Sequence, residues 1–223
     1  MTSHIGPGFK ANIFSNLLTT VDIEQQQFSD VFAKFDQLRQ EVRVSIAKAK
    51  TEYEKEHAET YIEHESRVEE ALLGASFVVA QVYISWVISE IVMLHNLATN
   101  RHVDLKTTNK SKAAIMTVGS APAVWSKQDS GYSQIQVVDA FANYFKHRDE
   151  WPSSWSELGD HQRRTACIIK SVGAVEGPND NMRIGAQALK LGDDLAILGE
   201  LLENWRKDLI GRYRAELAEN GLL

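Results

Sequence analysis

The sequence predicts an all-α fold: a helical bundle with a long antiparallel helical hairpin and a long C-terminal helix, as a single domain over residues 1–223. Three observations carry this. Only four prolines occur and none lies between Pro7 and Pro122, whereas an interior proline costs a helix roughly 3 kcal/mol. Apolar residues recur at spacings of three and four over long stretches, the period of one helical face. Hydrophobic residues make up 43% of the chain and charged residues 24%, the proportions of a folded globular chain that is long enough to bury a core.

Residues 1–20, with Gly6-Pro7-Gly8, read as an irregular N-terminal arm. Met1 to Lys10 has no basic stretch followed by an apolar run, so no signal peptide is expected. Thr20 or Asp22 can cap a first helix by offering a side-chain oxygen to free backbone N–H groups. From Asp22 to about Glu56 a stripe of Phe28, Val31, Phe35, Leu38, Val42, Ile46 and Ala49 needs a partner helix. A second helix runs from near Ala58 to Thr99. The two can form one rod of about 115 Å at 1.5 Å per residue, or a hairpin turning near residues 55–60. The hairpin is the economical choice because each apolar face then covers the other. Ala71 to Ser89 carries no charge and approaches the ~20 residues needed to cross a bilayer. Its Ser76, Gln81, Tyr83 and Ser85, with Glu90 at its end, read as a buried core helix, and no membrane association is expected.

Residues 100–131 change character. Asn100, Asn109, Gly119, Pro122 and Gly131 mark a long loop, and Arg101, His102, Lys106, Lys110 and Lys112 make it locally positive. It reads as a solvated connection or as a phosphate-binding loop, since loops of this length in a compact domain are often functional. A third helix follows from about Ser133 to Glu150, stopped by Pro152. A fourth spans roughly Asp160 to Val172, with Asp160 as cap and Gly173 as its end. After the loop Glu176-Gly177-Pro178-Asn179-Asp180, a last helix is expected from about Met182 to Glu219. Ile184, Ala188, Leu191, Leu195, Leu198, Leu202, Trp205 and Leu209 form a coiled-coil seam along it. Gly185, Gly192 and Gly199 recur every seven residues, a flat strip for a close neighbour and a candidate dimer contact.

The formal charge of −6 disfavours tight nonspecific binding to nucleic acid, whose affinity comes from neutralised phosphates, but permits a local basic site. The lone Cys167 cannot form an internal disulfide, which fits a reducing, cytoplasmic setting, and in Thr165-Ala166-Cys167-Ile168-Ile169 it reads as a small core residue. His57, Glu63 and His64 lie on a very polar helix and are expected to face solvent. No metal-ligand spacing, phosphate-binding glycine loop or nucleophile elbow occurs, so no metal or cofactor is expected.

The third helix carries the chemistry. Asn143 and His147 are four apart, one above the other, and Gln136 and Glu150 continue their row. Lys146 and Arg148 flank the histidine. An imidazole, an amide and two cations together can bind a phosphate, and histidine is suited to proton transfer near neutral pH. The same residues can also serve packing and the helix dipole alone. His161 and Arg163-Arg164 open the fourth helix and can face the same place. Glu90, a carboxylate at the end of an apolar helix, needs a partner and is expected to find it in Lys146 or Arg148.

The run Asn143-Tyr144-Phe145-Lys146-His147 resembles the Asn-x-x-x-His part of the signature of the HEPN superfamily (higher eukaryotes and prokaryotes nucleotide-binding). The resemblance extends loosely over residues 60–172. It implies a small helical bundle, commonly a homodimer, that binds RNA or a nucleotide. Many members are metal-independent ribonucleases of toxin–antitoxin, phage-defence and RNA-processing systems, so an antitoxin-type protein partner is also implied. In this sequence His147 would act as acid or base and Asn143 would position a phosphate or ribose, with Lys146 and Arg148 supplying charge. The family has an arginine before the polar residue, and here that position is Ala142. The implied member is therefore a divergent or degenerate ribonuclease. The reading from another class is a non-enzymatic helical scaffold whose long helices exist for association.

Overall fold

The computed structural model describes residues 14–19, 25–126, 128–177 and 180–223. Residues 14–19 are helical (α1), and the long hairpin follows as α2 (Gln25–Glu52) and α3 (Lys55–Thr99). Thr20 and Asp22, the expected caps, fall outside the described residues. The chain turns back at Tyr53 and Glu54, where Glu54 leaves the helical region at φ −59°, ψ 147°. The single rod is therefore excluded, and the turn lies just ahead of the expected window.

α2 buries a face slightly rotated from the expected one. Phe32 and Arg39 are fully buried, whereas Val31 and Leu38 are exposed. The stripe actually used is Phe28, Phe32, Phe35, Arg39, Val42, Ile46 and Ala49, which alternates steps of four and three without a break. Phe32 outcompetes Val31 because an aromatic ring removes more apolar surface from water than an isopropyl group does. It belongs to one contiguous cluster with Phe77, Ile84, Val87 and Ile91 of α3 and with Leu198 and Leu202 from the C-terminal part of the chain.

Residues 100–131, expected as a long loop, contain a short helix and a β-hairpin. Lys112–Thr117 forms a short helix, α4, capped by Ser111. Pro122–Trp125 (β1) and Gln128–Ser133 (β2) form an antiparallel hairpin with an irregularity between Pro122 and Val124. Glu216, near the C-terminus, ties this region down. Its carboxylate accepts from the Lys106 N–H, from the Thr107 N–H (3.0 Å) and from the Thr107 hydroxyl (2.6 Å).

Helix α5 (Gln134–His147) begins at a capping box. The Ser133 hydroxyl accepts from the Gln136 N–H at 3.2 Å, and the Gln136 side chain accepts from the Ser133 N–H at 2.9 Å, so two free donors are satisfied reciprocally. A 3₁₀ turn at Arg148–Glu150 follows, ahead of Pro152, and a second lies at Trp155–Glu157. Helix α6 (Asp160–Ser171) is capped by Gly159 rather than Asp160, and it ends as expected at Gly173, which adopts φ +92°. Its buried face is Ala166 and Ile169. Cys167 lies off that face and is exposed, which corrects its reading as a core residue.

The expected last helix is two helices, α7 (Asn181–Ala188) and α8 (Ala196–Glu219). Lys190 (φ +56°) and Gly192 (φ +53°) take left-handed conformations in the break. The seam residues Leu191, Leu195, Leu198, Leu202, Trp205 and Leu209 are all buried in the chain's own core. The three glycines therefore do not form one strip. A Cβ at Gly185 would meet Phe141 at 2.9 Å, one at Gly199 would touch Phe32 at 3.4 Å, and Gly192 faces open space in the turn. Among the described residues one helix, α3, is long and apolar enough to cross a membrane by length and composition, and half of its most apolar window is buried inside the fold.

Candidate functional site

Two helical stripes face each other across a cavity of about 730 Å³ between α4, α5 and α6. From α5 come Gln136, Asp139, Ala140, Asn143 and His147, with Glu150 and Trp151 continuing beyond its end. From α6 come His161, Arg164, Thr165 and Ile168, at the three-and-four spacing of a single face. Lys112 of α4 and Tyr132 of β2 close the remaining side. Asn143 and His147 thus share the cavity with His161 and Arg164, whereas Arg163 turns away, donating to the Leu158 carbonyl at 2.9 Å and lying 3.5 Å from Asp160.

His147 is about half exposed, and its Nδ1 lies 3.1 Å from a carboxylate oxygen of Glu150. The bond fixes the ring orientation and leaves Nε2 as the free nitrogen. Arg164 and His161 are exposed and line the cavity, with no hydrogen bond or ion pair to any described residue. Trp151 stacks edge-on against Tyr144 (5.1 Å between centroids) and Trp155 (5.3 Å), so its ring is a fixed wall. Its buried indole N–H has no acceptor among the described residues.

Asn143 is more constrained than expected. Its Oδ1 accepts from Gln81 of α3 at 3.0 Å, and its amide nitrogen lies 3.5 Å from Asp139. The Gln81 amide also donates to Asp139 Oδ1 at 2.7 Å, and Asp139 pairs with Lys112 at 2.6 Å. Asn143 thus belongs to a polar network that locks α5 to α3 and α4, with one edge toward the cavity.

Lys146 and Arg148 do not join the cleft. Lys146 donates to Gln81 Oε1 at 2.6 Å. Arg148 lies 3.5 Å from Glu70 and stacks over Phe145 at 5.0 Å. Lys146 lies one residue before His147 in the last turn of α5 and Arg148 opens the 3₁₀ turn after it, and both reach acceptors on α3 instead. Glu90 is not their partner. It lies beside Leu17, Leu18 and Ile210, where α1, α3 and α8 meet, and Glu70 and Gln81 fill the role expected of it. Ala142 is fully buried on the core side of α5, so this helix cannot offer the cleft an arginine from that position. Among the described residues two arginine or lysine side chains line the cleft, of which Lys112 is held by Asp139 and Arg164 is not held. His57, Glu63 and His64 face solvent, as expected, and no group of three or more His, Cys, Asp or Glu able to hold a metal occurs among the described residues.

Comparison of the chain with protein-family models, with curated proteins and with solved structures finds no match.

Proposed function

We propose that the cleft between α4, α5 and α6 binds RNA or a nucleotide, in keeping with the HEPN-like reading of the Asn143–His147 segment. The supporting observation is the convergence of His147, His161 and the unpaired Arg164 on one cavity. In this reading Arg164 takes the phosphate, for which a guanidinium's planar fork is well matched. Tyr132 and Trp151 offer aromatic faces on which a base can stack, a contact worth about 1–3 kcal/mol per base. If the site cleaves, one imidazole takes the proton from a ribose 2′-hydroxyl as its oxygen attacks phosphorus. The other protonates the departing 5′-oxygen, so no metal is required by this step. His147, oriented by Glu150, and His161 on the facing helix are the two candidates.

The test is the affinity of the purified protein for a fluorescent single-stranded RNA at fixed salt, with cleavage followed on a gel. Arg164→Ala is expected to weaken binding about tenfold or more, ~1.4 kcal/mol. His147→Ala and His161→Ala are expected to leave binding within a fewfold and to lower cleavage by about 100-fold or more. Wild-type affinity in Arg164→Ala would place any RNA elsewhere on the protein. Binding without cleavage in the wild type would leave a nucleotide-binding module without the ribonuclease step.

A second reading, a non-enzymatic homodimeric scaffold, is favoured by a different feature. Val82 and Met93 are 57% and 46% exposed on α3, in its most apolar half. The dimer contact would then lie on α3, because the α8 seam is used within the chain. Val82→Asp would convert a dimer to a monomer in sedimentation, while Gly192→Leu, in the α7–α8 turn, would leave the oligomeric state unchanged.

A further inference from the structure

The capping box that starts α5 also fixes a group in the cleft. Gln136 lines the cavity, and its Oε1 accepts from the Ser133 N–H at 2.9 Å. A backbone N–H can only donate, so this amide has one orientation, and its nitrogen is the atom left over. That nitrogen makes no hydrogen bond to a described residue. The helix cap thus holds a free N–H donor at a set place in the cleft wall.

Asp139, another lining residue, follows three positions later on the same face of α5. Its Oδ1 accepts from Gln81 at 2.7 Å and from Lys112 at 2.6 Å. The nearest described donor to Oδ2 is the Asn143 amide, at 3.5 Å. A carboxylate oxygen has two lone pairs to offer, so Oδ2 can accept more. The Lys112 side chain is 45% exposed and gives one of its three donors to Asp139. Helix α4 runs back along α5, because the Ser133 hydroxyl donates to the Met116 carbonyl at 2.8 Å while Lys112 reaches Asp139. The carboxylate therefore stands between the Gln136 amide and the Lys112 ammonium. Together they present a donor, an acceptor and a donor to the cleft.

We propose that this row reads uracil, so that the cleft prefers uridine, a proposal that rests on the cleft binding RNA or a nucleotide. Unpaired RNA bases are read on their Watson–Crick edges. The edge of uracil carries a carbonyl, an N–H and a carbonyl, the complement of the row at all three positions. The other bases match at most two. Guanine brings its amino group against a donor, and cytosine or adenine, shifted to place its amino group on Asp139, leaves one donor of the row without a partner. A polar group left unpaired in a cleft costs affinity beyond the bond that is missing.

The test compares binding of fluorescent oligouridine and oligocytidine of equal length to the full chain at fixed salt, two pyrimidine strands of equal backbone charge. Oligouridine should bind about tenfold tighter or more. An oligomer of N3-methyluridine, which lacks the central N–H, should bind no better than oligocytidine. Gln136→Glu keeps the oxygen that accepts the Ser133 N–H and removes the amide donor, and it should bring the two affinities within about threefold of each other. Lys112→Met, at the other end of the row, serves if that variant does not fold. Arg164→Ala should weaken both strands alike and leave their ratio unchanged. Equal wild-type affinity for the two strands, weakened for both in Arg164→Ala, overturns the uracil assignment alone. Binding of neither strand overturns it together with the reading of the cleft as an RNA or nucleotide site. A uridine preference kept in both Gln136→Glu and Lys112→Met, or kept by N3-methyluridine, overturns it as well.

Discussion

His95 sets a pH dependence from inside the core. Its Nε2 lies 2.7 Å from the Tyr213 hydroxyl, which lies 2.6 Å from the Thr108 hydroxyl, which donates to the Asn109 carbonyl at 2.8 Å. Each hydroxyl has one proton, so Thr108 accepts from Tyr213, and Tyr213 accepts from a neutral His95 protonated on Nε2. Burial, with Lys110 nearby, lowers the His95 pKa below 6.5, and burial raises Tyr213 to about 12. Because the folded histidine resists protonation, the unfolded chain binds more protons as pH falls below 6.5. The His95 contribution to stability is therefore fully present above that pH and is lost as pH falls toward the folded pKa. In urea unfolding between about pH 7.5 and about pH 5.5, His95→Gln should lose less stability on acidification than the wild type does. An identical pH dependence in the two proteins would show that His95 does not carry it.

Between helices, glycines separate two opposing effects. Alanine favours a helix by about 1 kcal/mol over glycine. In α8, Gly211 is exposed with nothing within 4 Å of an added Cβ, so Gly211→Ala should stabilise by roughly that amount. In α3, a Cβ at Gly74 would lie 2.1 Å from the Phe145 ring of α5. Gly74→Ala should therefore destabilise by about 1–3 kcal/mol through overpacking, despite the better propensity. Urea midpoints of the two variants should move in opposite directions, and a stabilised Gly74→Ala would mean that α5 does not seat its phenylalanine on α3. The same contact explains why Arg148 lies over Phe145 toward Glu70 rather than beside His147: the ring pressed onto Gly74 draws that side of α5 against α3.

Taken together, α2, α3, α5 and α8 contribute to one contiguous buried cluster. Trp205 and Phe77 lie inside it, with Trp155 where the second 3₁₀ turn meets α6. Loss of helicity by far-UV circular dichroism and loss of tryptophan burial by fluorescence should accordingly coincide on one urea transition, as expected for a cooperative unit. Separated transitions would divide the chain into independently stable parts.

Elements whose cause is local were legible from the residues alone. Helicity of α2, α3 and α5 follows from spacing and the lack of proline, the stop before Pro152 and the end at Gly173 from backbone chemistry, and the shared row of Asn143 and His147 from the period of the helix. That His161 and Arg164 of α6 lie beside that row was only one possibility in the sequence, because the period of a helix does not say which neighbour it packs against. What depends on which neighbour fills a space emerged from the packed chain. Phe32 displaced Val31 because a ring fits the core better. The chain broke between Ala188 and Ala196 although the seam period continues through, since Lys190 and Gly192 in left-handed conformations let α7 and α8 cover different parts of the bundle. Lys146 and Arg148 turned to Gln81 and Glu70 because those acceptors lie on α3, and Glu69 drew Arg39 and Arg43 of α2 and Arg183 of α7 to one point. Contacts between residues far apart in the chain leave no periodic trace in a single sequence, and they decided which side chains meet at the cleft between α4, α5 and α6.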